Sequence, residues 1–465
     1  MSREQASKQA KKSNYRVRFR HGVCPQGRQV TRADIKKYDF FFEPGTTTWV
    51  STMAADPSIL SQYDEGVLSH MRARSLGLPY ESSLAGPSRL GEAESELEWP
   101  LDDPTEAQLF RNWVEYVSHW WDTTSPENIW RDKIPKLALG NPMLLNAIFL
   151  HSAQHLRGVD PAWPAEPYHY HERLLNLLIP HIANRGCIDD EATLAAAIIL
   201  RSFEDFVAGT DGQTHLDTFP LFTTAGGSLL DTRSTVVKSC FLKHVRFEVH
   251  AALLGRPSLH VNYQNFVLPD LIEPANEISW NNRIVWITAR VLQWCTEDSH
   301  ASEAWSELNR LVNGWEKSRP SSFAPYFYRD VSTDEGRYYP DLWYSTPCHT
   351  EANQYVRIAR IALAQRDPDA TRPGEEGHRA EYESREQIVE RLKEVIAIAR
   401  CNGHRMPALF LASNAVFAYG STVEDHFDRV KMIEFLEEVE GVGWPTKSAM
   451  RWLASQWGWS VEDST

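Results

Sequence analysis

The sequence predicts an all-α protein: one large irregular domain of about twelve helices, stacked as helix pairs. Three observations carry this. From about residue 105 onward, apolar residues recur with the 3.6-residue spacing of a helix and keep doing so. Helix-start and helix-stop residues bracket several of these segments. Strand signals are scarce, with no series of alternating runs joined by Asn-Gly or Asp-Gly turns.

The segment 106–121, EAQLFRNWVEYVSHWW, places Leu109, Trp113, Tyr116, Val117 and Trp120 on one apolar stripe. The next helix opens with Asn141 as N-cap and Pro142 at the first helical position, where a missing N–H costs nothing. Further helices are expected at 167–185, 190–208, 235–255, 280–296, 302–317, 349–366, 384–401, 405–419, 426–440 and 446–458. Asp189 or Asp190 caps the helix at 190–208, and Gly255 with Pro257 ends the one at 235–255. The charged stretch 367–384 reads as a loop. No fixed-period repeat emerges, which argues against a regular solenoid.

Residues 1–104 read differently, as a poorly ordered segment ahead of a helical body at 105–460. Polar and turn-forming residues there cannot offset the entropy of ordering. Within it, residues 40–50 are aromatic enough to pack as a short strand or clip. Residues 81–103 are acidic and Ser-rich, an interaction segment or a linker.

The chain has 465 residues, 42% hydrophobic and 24% charged, an ordinary globular composition. Length alone would suggest about three domains, but the unbroken helical pattern favours one. No apolar run approaches the roughly 20 residues that cross a bilayer. The N-terminus lacks the apolar core of a secretory signal. A soluble intracellular protein is expected, without membrane contact. The net charge of −14 excludes a surface that is nucleic-acid-binding throughout. Residues 1–20 are the exception: Arg3, Lys8, Lys11, Lys12, Arg16, Arg18 and Arg20 face only Glu4. Such a tail binds phosphates, serves as a nuclear-import signal, or is simply solvated.

The six cysteines are Cys24, Cys187, Cys240, Cys295, Cys348 and Cys401. None stands at the close spacing from which structural zinc sites draw paired thiolates, so no metal or other cofactor is expected. They read as free thiols. His169 and His171 with Glu172 form the densest ligand-like cluster, but helical residues two apart face different ways. His244 and His250, six apart, share the same fault. His349 stands beside Cys348 and Glu351 as a candidate pair, a proximity that chance supplies in a chain with 17 histidines.

Nucleophile-elbow, phosphate-loop and dinucleotide-binding signatures are all absent, and GGSLL at 226–230 lacks the elbow context. No catalytic residue is assigned, and the chain is not expected to be an enzyme. Trp305, Trp315, Trp343, Trp444, Trp452, Trp457 and Trp459 read as core filling, with an apolar ligand pocket as the alternative. Arg246 with Glu248 reads as a buried structural ion-pair network.

Several helical segments, in order, resemble the regulatory domain of fungal-specific transcription factors, the helical region C-terminal to the binuclear zinc cluster of Gal4-like regulators. IPKLALGNPMLLNAIFLHSAQHL at 134–156 and YHYHERLLNLLIPHI at 168–182 resemble two successive helices of that domain. In FLKHVRFEVHAALLGRP at 241–257, Arg246, Glu248, Ala251 and Leu254 match its "R.diy.All" helix. WSELNRLVNGWEKSRPSSFAPYFY at 305–328 and PDLWYSTPCHTEANQYVRIARIAL come next, in the family's order. RVKMIEFLEEVEGVGWPTKSAMRWLASQWGW at 429–459 is similar to its terminal element. NYRVRFRHG and FFFEPGTTTWV resemble the stretch just C-terminal to the zinc cluster in such proteins.

The resemblance implies a nuclear transcription regulator that acts through a helical regulatory and interaction domain. Its partners would be proteins of the transcription machinery or a small effector. The zinc cluster itself needs six closely spaced cysteines, and only Cys24 falls in the first 180 residues. The sequence therefore predicts that this chain lacks the DNA-binding module. Either an upstream exon encodes it or the protein has lost it. DNA contact through the basic tail is expected to be weak, and no heptad run supports a coiled-coil dimer. A stand-alone helical scaffold or ligand-binding protein, without a role at promoters, is the other reading.

Overall fold

A computed structural model describes residues 101–160, 162–185, 190–208, 223–224, 227–228, 234–255, 273–296, 302–332, 334–403 and 406–459. Among these residues there are thirteen α-helices and two short two-stranded hairpins, so the protein is all-α. The basic tail, residues 40–50, Cys24, Cys187, Asp189, Pro257 and most of 226–230 lie outside the described residues.

The first group of helices is α1 (Pro104–Glu115), α2 (Ile134–Leu139), α3 (Pro142–Val159), α4 (Pro167–Arg185) and α5 (Glu191–Ala208). Asp103 caps α1 by accepting from the Thr105 and Glu106 amides at 2.7 and 3.0 Å. Asn141 caps α3 as the sequence predicts, accepting from the Leu144 amide at 3.0 Å with Pro142 at the first position. Asp190, the alternative to Asp189, accepts from both the amide and the hydroxyl of Thr193 at 2.7 Å. Residues 146–153 of α3 are all buried, so this helix is wrapped on every side, and α1, α4 and α5 pack against it.

Helices α6 (Thr235–Leu253) and α7 (Glu277–Cys295) connect this group to the rest. Gly255, at φ +70°, takes the left-handed conformation just past the end of α6, where a side chain would be strained. Then come α8 (Ser302–Ser318), α9 (Pro347–Gln365), α10 (Glu375–Cys401), α11 (Met406–Tyr419), α12 (His426–Gly441) and α13 (Lys447–Trp457). Helix α9 packs on both α7 and α10 and is buried around most of its circumference. One continuous apolar cluster runs from Leu109 to Trp457, so the described helices share a single core. No described helix is long and apolar enough to cross a membrane.

Three expectations need correction. The segment 367–384 is a loop only as far as Gly374, where α10 begins. Its first turns carry no apolar stripe and are held instead by acidic residues at the helix start and by i,i+4 pairs, Arg379–Glu383 at 2.8 Å and Glu381–Arg385 at 3.3 Å. Gly377 is required there, since a Cβ would stand 1.7 Å from the Arg372 carbonyl oxygen. The first helix does not run through to Trp120. It breaks at Tyr116 (φ −130°, ψ −64°), and Val117–Trp120 form a 3-10 turn. Three residues of the predicted stripe are nonetheless fully buried, Leu109, Trp113 and Val117, while Tyr116 and Trp120 are half-buried. Lastly, Phe327–Arg329 (β3) pairs antiparallel with Asp341–Trp343 (β4), a hairpin too short to give a period-two signal. The other hairpin, Thr223–Thr224 (β1) with Gly227–Ser228 (β2), is shorter still.

Candidate functional site

The centre of the molecule is charged. Between α6, α7, α9 and the irregular stretch 117–133, a seam of ionisable and amide side chains is enclosed by the apolar core. Arg246 of α6 donates to both carboxylate oxygens of Glu351 on α9, at 2.8 and 3.1 Å. The same guanidinium donates to Asn282 Oδ1 at 3.0 Å and to the carbonyls of Leu242 and Thr123. Asn281 donates to Glu351 at 2.5 Å, and Asn282 to the Thr124 carbonyl at 2.9 Å. Burial works to raise the Glu351 carboxyl, but Arg246, with help from Lys243 and Asn281, outweighs it and holds the acid below its usual range.

Lys243, one turn before Arg246, is 6% exposed. Its ammonium reaches the Trp120 carbonyl at 3.3 Å and lies 5.5 Å from the Trp121 ring centroid. Burial, and then the charge of Arg246, push it down to about 7. Asp122 moves the other way. Burial raises it to about 6, although its two oxygens accept from the Trp130 and Arg131 amides at 2.9 and 3.1 Å. Those bonds fold the stretch 117–133 back on itself. Asn128 turns it in the left-handed region (φ 46°), which Asn tolerates better than most residues. A second buried pair flanks the seam: Arg201 of α5 meets Glu248 of α6 at 2.7 Å and His244 Nδ1 at 3.1 Å.

Arg246 and Glu248 are therefore both in buried ion pairs, but not with each other. Two residues apart on α6, they face different helices, and each finds its partner elsewhere. His169 and His171 also diverge: His169 is exposed, whereas His171 Nε2 lies 3.6 Å from Glu204. His244 turns to Arg201, while His250 Nδ1 meets the Asn414 amide at 2.8 Å. Of the tryptophans, Trp315, Trp444 and Trp457 are buried, and Trp305, Trp452 and Trp459 pack against the core. Trp343 does not. It is 42% exposed and forms a surface ledge on the β3–β4 hairpin, its ring 4.5 Å from that of Phe327 and 6.2 Å from that of Tyr326.

The candidate pair at His349 acquires a partner from far away in the chain. Glu277, the first residue of α7, places Oε2 3.0 Å from His349 Nε2. Ligand atoms of Glu277, Cys348 and His349 all lie within 4.8 Å of one another. Glu351, the neighbour suggested by the sequence, is engaged by Arg246 instead. These three residues are the ones placed to hold a metal ion among the described residues.

Asp122, Lys243, Asn281, Asn282 and Glu277 are not marked by sequence motifs. One signal does exist. In WNNRIVW at 280–286, two amides and an arginine interrupt an otherwise apolar helix, and Asn281, Asn282 and Arg283 are all buried. Buried polar side chains must be satisfied, so such an interruption marks a helix that crosses a polar seam.

No protein-family model, no curated protein and no solved structure matches the chain. Its class is given by its own helices: an all-α protein with an enclosed charged centre and an aromatic ledge at the surface.

Proposed function

We propose that this chain is a transcription regulator of fungal type, its helical body serving as regulatory and interaction domain. The observation that carries the proposal is the ordered series of segments resembling that domain. The series falls on helices in chain order, α2 with α3, then α4, α6, α8 with α9, and α12 with α13, with α5, α7, α10 and α11 between them, and these share one core. Two features support it further. The charged seam lies beneath packed helices, where it fixes their mutual register rather than meeting a substrate. The aromatic ledge at Tyr326, Phe327 and Trp343 is exposed apolar surface of the kind that partner proteins cover.

In this reading the protein is nuclear and acts through protein partners or a small effector. Sequence-specific DNA contact comes from an attached or associated module. The chain itself binds DNA only weakly, through a basic tail able to neutralise a few phosphates. Two measurements test this. The tagged protein at native expression should be found in the nucleus, and an exclusively cytosolic location would favour a scaffold without promoter role. The purified chain should bind duplexes of unrelated sequence equally and lose that binding steeply as salt rises. Tight binding to one sequence at moderate salt would contradict the proposal.

A further inference from the structure

We propose that Glu277, Cys348 and His349 form a binding site for a single divalent cation of the zinc class, with a fourth position left for water. This site is independent of the regulatory reading and stands or falls without it.

Two helix starts bring the three residues together. Helices α7 and α9 run side by side in the same direction. The contacts Glu277–His349, Asn281–Glu351, Thr288–Tyr355 and Cys295–Ala362 advance together along both. Their N-termini therefore lie at the same end of the pair. Asn276 caps α7, accepting from the Ser279 amide at 2.8 Å, which fixes Glu277 in the first turn. Thr346 caps α9 and Pro347 comes next, so Cys348 and His349 occupy the following two positions. Three side chains thus converge because two caps fix where two helices begin. Spacing along the chain cannot reveal this, since Glu277 is separated from Cys348 by most of α7, all of α8 and a hairpin.

The donor set suits zinc. Thiolate, imidazole and carboxylate are its three usual ligands, and a mixed S, N, O set disfavours magnesium or calcium, which take oxygen. A thiolate and a carboxylate together neutralise a dication, while imidazole binds neutral. Separations within 4.8 Å, with 3.0 Å between the carboxylate oxygen and the imidazole nitrogen, fit atoms gathered round one ion. His349 Nδ1 lies 3.1 Å from Ser345 Oγ. In the proposed site Nδ1–H donates to that hydroxyl, which leaves the Nε2 lone pair for the metal, a common supporting contact for ligating histidines.

The surroundings are also those of a binding site. His349 and Cys348 are 2% and 7% exposed, and the Phe323 ring lies 4.5 Å from the imidazole. The Glu277 side chain, at 43% exposed, is the open side through which an ion would arrive. Without metal Cys348 is a buried free thiol. Binding would form the metal–sulfur bond and release the thiol proton to solvent. The Thr346 hydroxyl, 3.1 Å from Sγ, and the N-terminus of α9 favour the thiolate so formed.

The test uses the full chain, stripped with a chelator and titrated with zinc alone against a chromogenic competitor. Cobalt in a parallel titration reports thiolate ligation through its sulfur-to-metal charge-transfer band. The expected result is one ion per chain with that band present. Cys348→Ser should abolish the band, and Glu277→Gln should weaken binding at least about 10-fold. Ser345→Ala should weaken it by roughly 10- to 100-fold, the usual effect of removing a ligand's support. Glu277 is half open to solvent, so its variant should fold, and circular dichroism checks this. Failure of the wild-type chain to hold a stoichiometric ion would overturn the proposal. So would a band and an affinity unchanged in Cys348→Ser, which would place the ion on another cysteine.

Discussion

The centre of the molecule and its C-terminal corner are both buried, yet they are held in opposite ways. In the centre, α6, α7 and α9 are tied by directional bonds among Arg246, Glu351, Asn281 and Asn282. In the corner, α11, α12 and α13 are held mostly by rings: Phe410 stacks on Trp444 at 4.1 Å, Phe417 lies 4.8 Å from Trp452, and the buried Trp457 ring adds one hydrogen bond, to the Gly420 carbonyl. Directional bonds admit one register and tolerate no missing partner. Stacked rings supply area, and a gap there costs only what the lost contacts were worth. The two regions should therefore respond differently to truncation and to acid.

The largest expected effect is in the centre. Arg246→Met leaves the Glu351 carboxylate buried without its cation and should cost about 3–5 kcal/mol, read from chemical denaturation. The double variant Arg246→Met with Glu351→Leu should regain only part of that loss: it removes the unpaired charge, but it leaves Asn281 and Asn282 each without one of their partners. A double variant as unstable as the single one would show that the pair is not what makes the single variant costly.

Acid should separate the regions next. Burial holds His151 and His155, beside Trp113, Trp120 and Trp121, down at about 4. Their folded values lie below the unfolded value near 6.5, so the unfolded chain takes up protons first. Stability should fall as pH drops from about 6.5 to 4 and level off below that. Asp122, raised to about 6, acts in the opposite sense, since the folded form binds its proton first and gains stability as pH falls towards 4. Two imidazoles against one carboxyl leave a net loss on the order of 4 kcal/mol. Asp122→Asn removes the opposing gain and should steepen the loss, whereas His151→Gln should make it shallower. Denaturation midpoints across this pH range decide between these outcomes and a flat profile.

The smallest effect belongs to the corner. Trp457→Phe removes the indole N–H that donates to the Gly420 carbonyl at 3.2 Å and leaves a modest void. A loss of about 1–2 kcal/mol is expected, and it should be the same at pH 7 and pH 5. A pH-dependent loss would mean that the corner is coupled to the charged centre.

The corner is legible in the sequence and the centre largely is not. Apolar spacing places α11 to α13 within a residue or so of their observed bounds, and it places α4 at 167–185, where it stands. Burial of that kind writes itself into the local pattern. The early turns of α10 escape because exposed ion pairs leave no apolar stripe. The seam escapes for a different reason. Arg246 and Glu351 stand 105 residues apart, and Arg201 and Glu248 meet only because α5 packs on α6. A residue's own helix says that it must have a partner without saying which. The same holds for Glu277 at the Cys348–His349 cluster, where the decisive neighbour comes from another helix start.

The regulatory role is tested most directly by tethering. The full chain, fused to an unrelated sequence-specific DNA-binding module, is placed ahead of a reporter gene carrying that module's site. Reporter output should shift severalfold, up or down, relative to the module alone. Arg246→Met, which loosens the helical body, should remove the shift. An unchanged reporter, with the fusion intact in the nucleus at normal abundance, would contradict a regulatory role.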